Sequence, residues 1–273
     1  MSIIIIKIGT DSISNANGSV NNQVMIEVTQ QIYSLQHLGH KVVLVSSGAI
    51  GLGYRNLGLA TKPQDSLTQR MCAMIGQPLM IQKWLNIMHL YNIKAGQCLL
   101  NSNDLSSSKN TKKLFEVIKI AIDNDIVPII NENDVISDEE TKTLRVHKNT
   151  FVDNDSLARL VAIGLEAKIL FILSAGIDGL YKDYSSDKKE IFQIVDDFAK
   201  IYDSIHTSKS SGGTGGMKAK IDSIYKAVKA GVEVYLINSF ASENISKAIQ
   251  NNTNFVGTKF MLPQKNILKT NQN

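Results

Sequence analysis

Ile3-Ile-Ile-Ile-Lys-Ile8 opens the strand–helix–strand unit that decides the fold. This run is short and apolar, which is typical of a strand buried on both faces of a sheet. The next segment, Asn22–Leu38, has apolar residues at helical spacing, and Lys41-Val-Val-Leu-Val-Ser46 again has the pattern of a buried strand. A strand, a helix and a strand in this order predict two parallel strands joined by a helix.

The alternation of strand and helix patterns continues along the chain. It predicts an α/β fold with a mainly parallel central sheet. We expect a single domain over residues 1–263, with no accessory domain before the first strand, followed by a frayed polar tail over 264–273. Further strands are predicted at Lys94–Leu100, Ile126–Ile130, Lys168–Ser174 and Val232–Ile237. Further helices are predicted at Thr68–Leu90, Lys112–Asn124, Asn154–Leu165, Met217–Ala230 and Glu243–Gln250.

The composition is that of an ordinary globular protein, because 43% of the 273 residues are hydrophobic and 20% are charged. The net charge is only +4 and no run of lysine or arginine stands out, so we expect no nucleic-acid partner. No apolar run approaches the length of a membrane span, which predicts no membrane association. The two cysteines, Cys72 and Cys98, stand in apolar contexts and indicate reduced core residues. A cytoplasmic location is therefore expected.

Gly213-Thr-Gly-Gly-Met-Lys-Ala-Lys220 is a glycine-rich segment that leads into a helical pattern. Free backbone N–H groups and the helix dipole at such a start favour an anion, and phosphate is the anion we expect. Lys218 and Lys220 add positive charge near the same helix start. The positive end of the helix dipole repels such charge unless an anion binds there. The same pattern fits a surface loop before an ordinary helix. The chain contains no Gly-Lys dipeptide, which excludes the P-loop motif.

Five clusters of polar residues lie where predicted strands end or predicted helices begin. Each alone has a structural explanation, such as an edge lysine, a turn or a helix cap. Ligands of α/β folds gather at the carboxyl ends of the strands, so five clusters beside an anion segment favour a common site. Lysines in this site would offset the negative charge of a phosphate, and carboxylates would hold the lysines in position, with magnesium as a cofactor. The clusters are Lys7–Thr10, Ser46–Gly48, Asn131–Asp134, Val152–Asp155 and Ser174–Gly176.

Several of these segments together resemble the glutamate 5-kinases, a family of the amino acid kinase superfamily. The resemblance covers residues 1 to 260 in the order of the family. It implies a three-layer α/β sandwich that is amino acid kinase-like, with a glutamate-binding lobe over about 1–155 and an ATP-binding lobe over about 156–263. The implied reaction is MgATP plus L-glutamate to glutamyl 5-phosphate, the first step of proline biosynthesis. The motifs are Lys7–Thr10, Val45–Ala49, Gly96–Leu100, Pro128–Asp134, Asp153–Asp155 and Gly213–Met217 with Lys220.

The resemblance also implies a role for each site residue. Lys7 and Lys220 would contact the ATP phosphates and stabilise the transferring phosphoryl group, and Asp155 would hold both lysines. Ser47, Asp134 and Asn154 would bind glutamate, with Asp134 on its ammonium group. The ATP-binding residues would be Lys7, Ser174, Ala175, Thr214, Gly215, Gly216, Met217, Lys218, Ala219 and Lys220. Mg²⁺ would be carried by ATP without a metal site on the protein, proline would be a feedback inhibitor, and the chain would form a homo-oligomer.

The chain departs from the family pattern in several places. Val152 replaces the usual glycine before Asp153, and Ser174-Ala175-Gly176 replaces the usual Thr-Asp and adds one residue, which puts the ATP contacts there in doubt. The segment 135–152 is longer than usual and charged. It is placed to close over glutamate, or it is a tolerated surface insertion. The PUA domain that many members carry after the kinase domain is not expected, because the chain ends too soon to hold one.

Two alternatives to a glutamate kinase are considered. The first is another amino acid kinase that acts on acetylglutamate, aspartate or UMP, against which the segment Asn131–Asp134 argues. The second is a non-catalytic nucleotide or amino-acid sensor on the same fold. The joint presence of Lys7, Lys220 and Asp155 argues against a sensor.

Overall fold

The computed structural model describes residues 1–15, 19–105, 108–136, 153–184, 186, 189–201 and 214–263. Within the helices, the side chains of residues 108 and 214–216 are not described. Most of the segment 135–152, including Val152, lies outside the described residues, as do Gly213 and the tail 264–273.

One eight-stranded sheet runs through the molecule, in the order β3-β4-β2-β1-β5-β7-β8-β6 for the strands defined below. Neighbouring strands are parallel except β7 and β8, so the mainly parallel sheet predicted from the sequence is confirmed. The strands are β1 (Ile3–Ile8), β2 (Lys41–Ser46), β3 (Lys94–Leu100), β4 (Ile126–Glu132), β5 (Ile169–Ser174), β6 (Ile194–Val195), β7 (Glu233–Asn238) and β8 (Thr258–Phe260).

Helices cover both faces of the sheet and make three layers. The described α-helices are α1 (Thr10–Ile13), α2 (Asn22–His37), α3 (Ala49–Asn56), α4 (Ser66–Leu90), α5 (Ser108–Asp123), α6 (Asn154–Gly164), α7 (Thr214–Lys229) and α8 (Asn244–Ile249). A short 3₁₀ helix, Ser102–Leu105, follows β3. Buried side chains of α2, α4 and α8 form one core with one face of the sheet, and those of α5, α6 and α7 form the other core.

Strand β1 shows how the two cores are divided. Ile4, Ile6 and Ile8 contribute to the core on the α2 and α4 side, whereas Ile5 contributes to the core on the α6 and α7 side. Side chains alternate between the two faces of a strand. Lys7 therefore shares its face with Ile5, and its side chain is directed toward α6 and α7.

The short elements were not predicted from the sequence. Helix α3 contains Gly51 and Gly53, which lower its intrinsic helix propensity, and it forms because it packs closely along α4. Strands β6 and β8 have two and three residues, too few to show a periodic pattern. Strand β4 extends two residues beyond the predicted Ile130, because Asn131 and Glu132 still pair with Leu99 and Leu100 of β3. Both are buried although they are polar.

The contact between α3 and α4 leaves no room for a side chain at two glycines. A Cβ atom at Gly76 would lie 1.8 Å from the carbonyl oxygen of Ala49, and one at Gly53 would lie 1.8 Å from that of Cys72. Both obstacles are backbone atoms, which cannot rotate away. This contact holds the start of α3, two residues after Ser47, against the middle of α4.

We predict that Gly76→Ala destabilises the protein by about 1–3 kcal/mol, because the added methyl group separates the two helices. In an open helix the same change would instead stabilise by about 1 kcal/mol. Urea unfolding followed by circular dichroism measures the difference. Gly96→Ala is the control, since a Cβ atom there meets nothing within 4 Å. Equal stabilities of the two variants would contradict the close packing.

Candidate active site

The carboxyl ends of β1, β2 and β4 bring the candidate site residues together. Lys7 lies near the end of β1, Ser47 directly follows β2, and Asn131 lies near the end of β4. Since β1, β2 and β4 are neighbours and parallel, their ends meet at one edge of the sheet. The amino end of α6 lies at the same edge and adds Asn154 and Asp155. The fold thus joins side chains that are more than a hundred residues apart in sequence.

One buried carboxylate holds two lysines. The Lys7 Nζ atom lies 2.7 Å from Asp155 Oδ1, and the Lys220 Nζ atom lies 2.5 Å from Asp155 Oδ2. The Lys7 and Asp155 side chains are about nine-tenths buried, and that of Lys220 nearly as much. Two ammonium groups against one carboxylate give the ion-paired cluster a net charge of +1, of which the carboxylate of Asp153 offsets a part through its attraction for Lys220. Such a buried excess charge fits a phosphate anion, because a buried charge is stable only when it is paired.

The lysines control the ionisation of this carboxylate. Burial alone would raise the pKa of Asp155, but the charges and hydrogen bonds of Lys7 and Lys220 outweigh it and lower the pKa to about 2. Burial lowers the pKa of Lys220, and the attraction of Asp155 opposes that shift. The carboxylate therefore stays ionised at any physiological pH and keeps both lysines in position.

The start of α6 is built so that two successive residues face two parts of the site. Asp153 caps the helix, with its carboxylate accepting a hydrogen bond from the backbone N–H of Ser156 at 2.7 Å. The next residue, Asn154, donates through Nδ2 to Ser47 Oγ at 2.6 Å and to Asn131 Oδ1 at 3.1 Å. Asp155 then faces the lysines. A capped first turn is rigid, so the amide and the carboxylate keep a constant relative position.

The amide network continues from α6 to α4. Asn131 Nδ2 donates to Gln77 Oε1 at 2.8 Å, which connects Ser47, Asn154, Asn131 and Gln77 through hydrogen bonds. Two buried atoms of this network, Gln77 Nε2 and Asn154 Oδ1, have no hydrogen-bond partner among the described residues. A buried amide without a partner is costly. One donor and one acceptor are therefore available to a polar ligand.

A cavity of about 280 Å³ lies next to the amide network. Its polar wall includes Gln77, Gln97 and the segment Glu132–Asp134, and its apolar wall includes Met74 and Leu99. This volume is just below the usual range for small-molecule sites, about 300–1,000 Å³, and fits a small ligand. Asp134, predicted to bind substrate, thus lies in the same cavity wall as Gln77.

The remaining predicted residues lie at the carboxyl end of β5 and at the start of α7. Ser174 ends β5, next to β1, and neither it nor Ala175 makes a hydrogen bond to the lysines or to the amide network among the described residues. Helix α7 begins at Thr214, three residues before the predicted start at Met217. Gly215 and Gly216 are thus in its first turn and not in a preceding loop. The N–H groups of a first turn have no partner within the helix. Lys218 and Ala219 are exposed, and Met217 is half-buried.

Gln77 was missed by the sequence analysis. It is buried in the middle of a helix whose neighbouring buried residues, Ala73 and Met80, are apolar. A polar residue on the apolar face of a helix is a signal that the sequence offered. The signal is weak, because the face of α4 toward the site is known only once α3 has packed against it.

The residues that the structure describes contain no group of three or more His, Cys, Asp or Glu side chains placed to bind a metal ion. None of their helices is both long enough and apolar enough to cross a membrane.

Comparison with known proteins identifies relatives over nearly the whole chain. Residues 2–238 match the amino acid kinase family. Glutamate 5-kinase of Streptococcus sanguinis (strain SK36) is 32% identical over 267 residues, which are 97% of this chain and 69% of that protein. Glutamate 5-kinase of Streptococcus gordonii (strain Challis) is 31% identical over the same shares of both chains.

Solved structures of other kinases share the fold. Carbamate kinase from Giardia lamblia, bound to AMP-PNP, has a TM-score of 0.68 and 17% identity, and the match covers 96% of this chain and 99% of that one. Isopentenyl phosphate kinase from T. acidophilum has a TM-score of 0.64 and 16% identity over 95% of this chain and 100% of that one. These identities are too low to carry more than the fold, and they confirm the amino acid kinase-like architecture.

The fold, the family match and the relatives at about 31–32% identity agree with one another. The chain belongs to the amino acid kinase family and, within it, to the glutamate 5-kinases.

Proposed function

We propose that this protein transfers the γ-phosphoryl group of ATP to the side-chain carboxylate of L-glutamate and produces glutamyl 5-phosphate and ADP. The observation that carries the proposal is the pair of buried lysines on Asp155, at 2.7 and 2.5 Å. An excess positive charge at the carboxyl edge of a parallel sheet fits the phosphates of a nucleotide. The names of the relatives supply the acceptor.

The chemistry needs little more than position and charge. An oxygen of the glutamate carboxylate attacks the γ-phosphorus, a P–O bond forms, and the bond from the γ-phosphorus to the bridging oxygen of ADP breaks. The carboxylate is already ionised, so no general base is required. Charge on the transferring group and on the leaving ADP is stabilised by Lys7 and Lys220, which Asp155 holds in position before the reaction starts.

We propose that Mg²⁺ arrives with ATP, because the residues that face the phosphate position are lysines and not metal ligands. The ion would neutralise part of the negative charge of the ATP phosphates. The excess positive charge of the two lysines on Asp155 fits the negative charge that would remain.

Glutamate would bind at the amide network and its cavity. Asp134 would pair with the α-ammonium group, and Ser47, Asn154 and Gln77 would surround a carboxylate. The free donor of Gln77 and the free acceptor of Asn154 support this placement. Ser174, Ala175 and residues 214–220 are proposed for ATP. Lys7 belongs to the proposed glutamate lobe and Lys220 to the proposed ATP lobe, so the two lysines would meet where the lobes join. Proline inhibition, a homo-oligomer and a cytoplasmic location stay predictions.

The substrate is tested by ADP release from the purified chain with MgATP. We predict that release depends on L-glutamate and that N-acetylglutamate, which has no ammonium group, is a poor substrate. Asp134→Ala should raise the KM for L-glutamate about 10–100-fold, the scale of one lost charged hydrogen bond. Equal turnover of both acids would point to another amino acid kinase, and no release with glutamate, acetylglutamate, aspartate or UMP would favour a sensor.

The lysine pair is tested by removing one cation. We predict that Lys220→Ala lowers kcat roughly 10²–10³-fold, the scale for one preorganised group that stabilises transition-state charge. The control is Lys226→Ala on the same helix, because Lys226 is exposed and lies six residues farther along α7 than Lys220. Unchanged kcat in a folded Lys220→Ala protein would rule out this role.

The carboxylate is tested through the pH dependence of stability. The pKa of Asp155 is about 2 in the folded protein against 3.8 ordinarily, so the stability due to its ionisation is complete above about pH 4. It is lost as the pH falls toward 2, and the shift corresponds to about 2 kcal/mol. We predict that the wild type loses about 2 kcal/mol more than Asp155→Asn over this interval, as measured by urea unfolding. Parallel losses in the two proteins would show that the ion pairs are absent in solution.

A further inference from the structure

Trp84 is the only tryptophan of the chain, and it is fully buried in the core between α4 and the sheet. A buried indole N–H needs an acceptor, and Trp84 Nε1 donates to Ser46 Oγ at 2.9 Å. Ser46 is itself fully buried at the end of β2 and directly precedes Ser47 of the amide network. A phenylalanine would fill the core without needing a partner. The polar contact is therefore not a requirement of packing.

The indole determines what the Ser46 hydroxyl can do. An indole N–H only donates, so Ser46 Oγ accepts from it and keeps its single proton for another acceptor. Two acceptors lie within reach, the backbone oxygen of Ser47 at 3.3 Å and Met80 Sδ at 3.6 Å. Both lie at the turn that follows β2, since Met80 Sδ would also be 3.7 Å from a Cβ atom placed on Gly48. The hydroxyl thus links Trp84 to this turn.

The backbone of Ser47 is held from both sides. Its N–H donates to the carbonyl oxygen of Ile8 in β1 at 3.1 Å, and its own carbonyl oxygen faces the Ser46 hydroxyl. Its side chain then accepts the hydrogen bond from Asn154 at 2.6 Å. The position of Ser47 Oγ in the site depends on these backbone contacts, and Trp84 controls one of them.

Helix α4 contacts two neighbouring strand ends with one of its sides. Gln77 and Trp84 are seven residues apart, which is about two helical turns, so their side chains lie on the same side of α4. Gln77 is bonded to Asn131 near the end of β4, and Trp84 to Ser46 at the end of β2. Strands β2 and β4 are adjacent and parallel. A single helix therefore fixes the spacing of the two strand ends that carry the amide network.

We propose that Trp84 is a positioning residue for the acidic substrate, and that it acts through Ser46 on the position of Ser47. This role rests on the proposed function, in which Ser47 contacts a carboxylate of glutamate. Without the indole N–H, the Ser46 hydroxyl is free to rotate, and the turn that carries Ser47 shifts relative to Asn154. Trp84 is not part of the cavity wall, so its loss should affect glutamate through this turn alone.

The first test is the kinetics of Trp84→Phe, which removes the N–H and keeps most of the ring packing. We predict that the KM for L-glutamate rises about 3–10-fold, the scale of one neutral hydrogen bond, and that the KM for MgATP changes less than about twofold. Ser46→Ala should have the same effect. The double variant should be no worse than either single one, because both substitutions remove the same interaction.

A matched control separates this role from a loss of packing. Ile87→Val is on the same helix and in the same core, and Ile87 carries no polar group. It should lower the thermal midpoint of unfolding and leave the KM for L-glutamate unchanged.

The second test is the NMR signal of the single indole N–H in ¹⁵N-labelled protein. We predict that the signal moves in Ser46→Ala, which reports the hydrogen bond without any assay of activity. In the wild type it should move when L-glutamate is added and stay in place with MgATP alone.

The outcomes distinguish this role from the proposed function. A wild type that releases no ADP with L-glutamate would overturn both. An active wild type would overturn the role of Trp84 alone under any of three results: an unchanged glutamate KM in Trp84→Phe, additive effects of the two substitutions, or an equal rise of KM in Ile87→Val. An indole signal that does not respond to Ser46→Ala or to L-glutamate would overturn it as well.

Discussion

The site depends on the pairing of one buried carboxylate with two lysines. Lys7 and Lys220 come from opposite ends of the chain and repel each other, and Asp155 lies within 2.7 Å of both. Breaking a buried pair by removing one partner typically costs about 3–5 kcal/mol, because a charge is left uncompensated. Strand β1 and helix α7 can therefore bring their lysines together only when the start of α6 lies between them. The unbalanced charge that remains is the property from which a phosphate-transfer function follows.

Helix α6 connects the two parts of the site through consecutive residues. Asp153 closes the first turn, Asn154 holds the amide network, and Asp155 holds the lysines. Neighbouring residues at a helix start point in different directions, so a single capped turn directs the amide to one part of the site and the carboxylate to the other. In the proposed reaction, this turn would fix the position of glutamate relative to the ATP phosphates, which is the kind of preorganisation that positional catalysis requires. The close contact of α3 with α4 supports the other end of the network at Gln77.

Much of the architecture could be predicted because buried parallel strands are short and apolar. Strands β1, β2 and β3 have the predicted bounds, and the six predicted helices all occur. The errors have one cause, which is that tertiary contacts override local preference. Helix α3 forms in spite of its glycines, and α7 starts at Thr214 and not at Met217. Strand β4 continues through Asn131 because this residue pairs with β3 and Gln77 satisfies its buried side chain. Gln77 could not be assigned to the site, since its place depends on the packing of two helices.

The sequence by itself determined the fold class, the family and the residue types that gather at the strand ends. The spacing of apolar residues and the local motifs both lie within short segments of the chain, where they can be recognised without the structure. Only the tertiary structure decided which of those residues meet. That Lys7 faces α6 and α7 follows from the division of β1 between two cores, and that Asp155 holds both lysines follows from three separate elements meeting at one edge. Helix α4 has apolar residues on more than one side, and its sequence does not show which of them are core. Trp84 is buried and Leu67 is exposed because α2 and the sheet cover only one side of that helix, and burial is a property of the packed molecule and not of the residue.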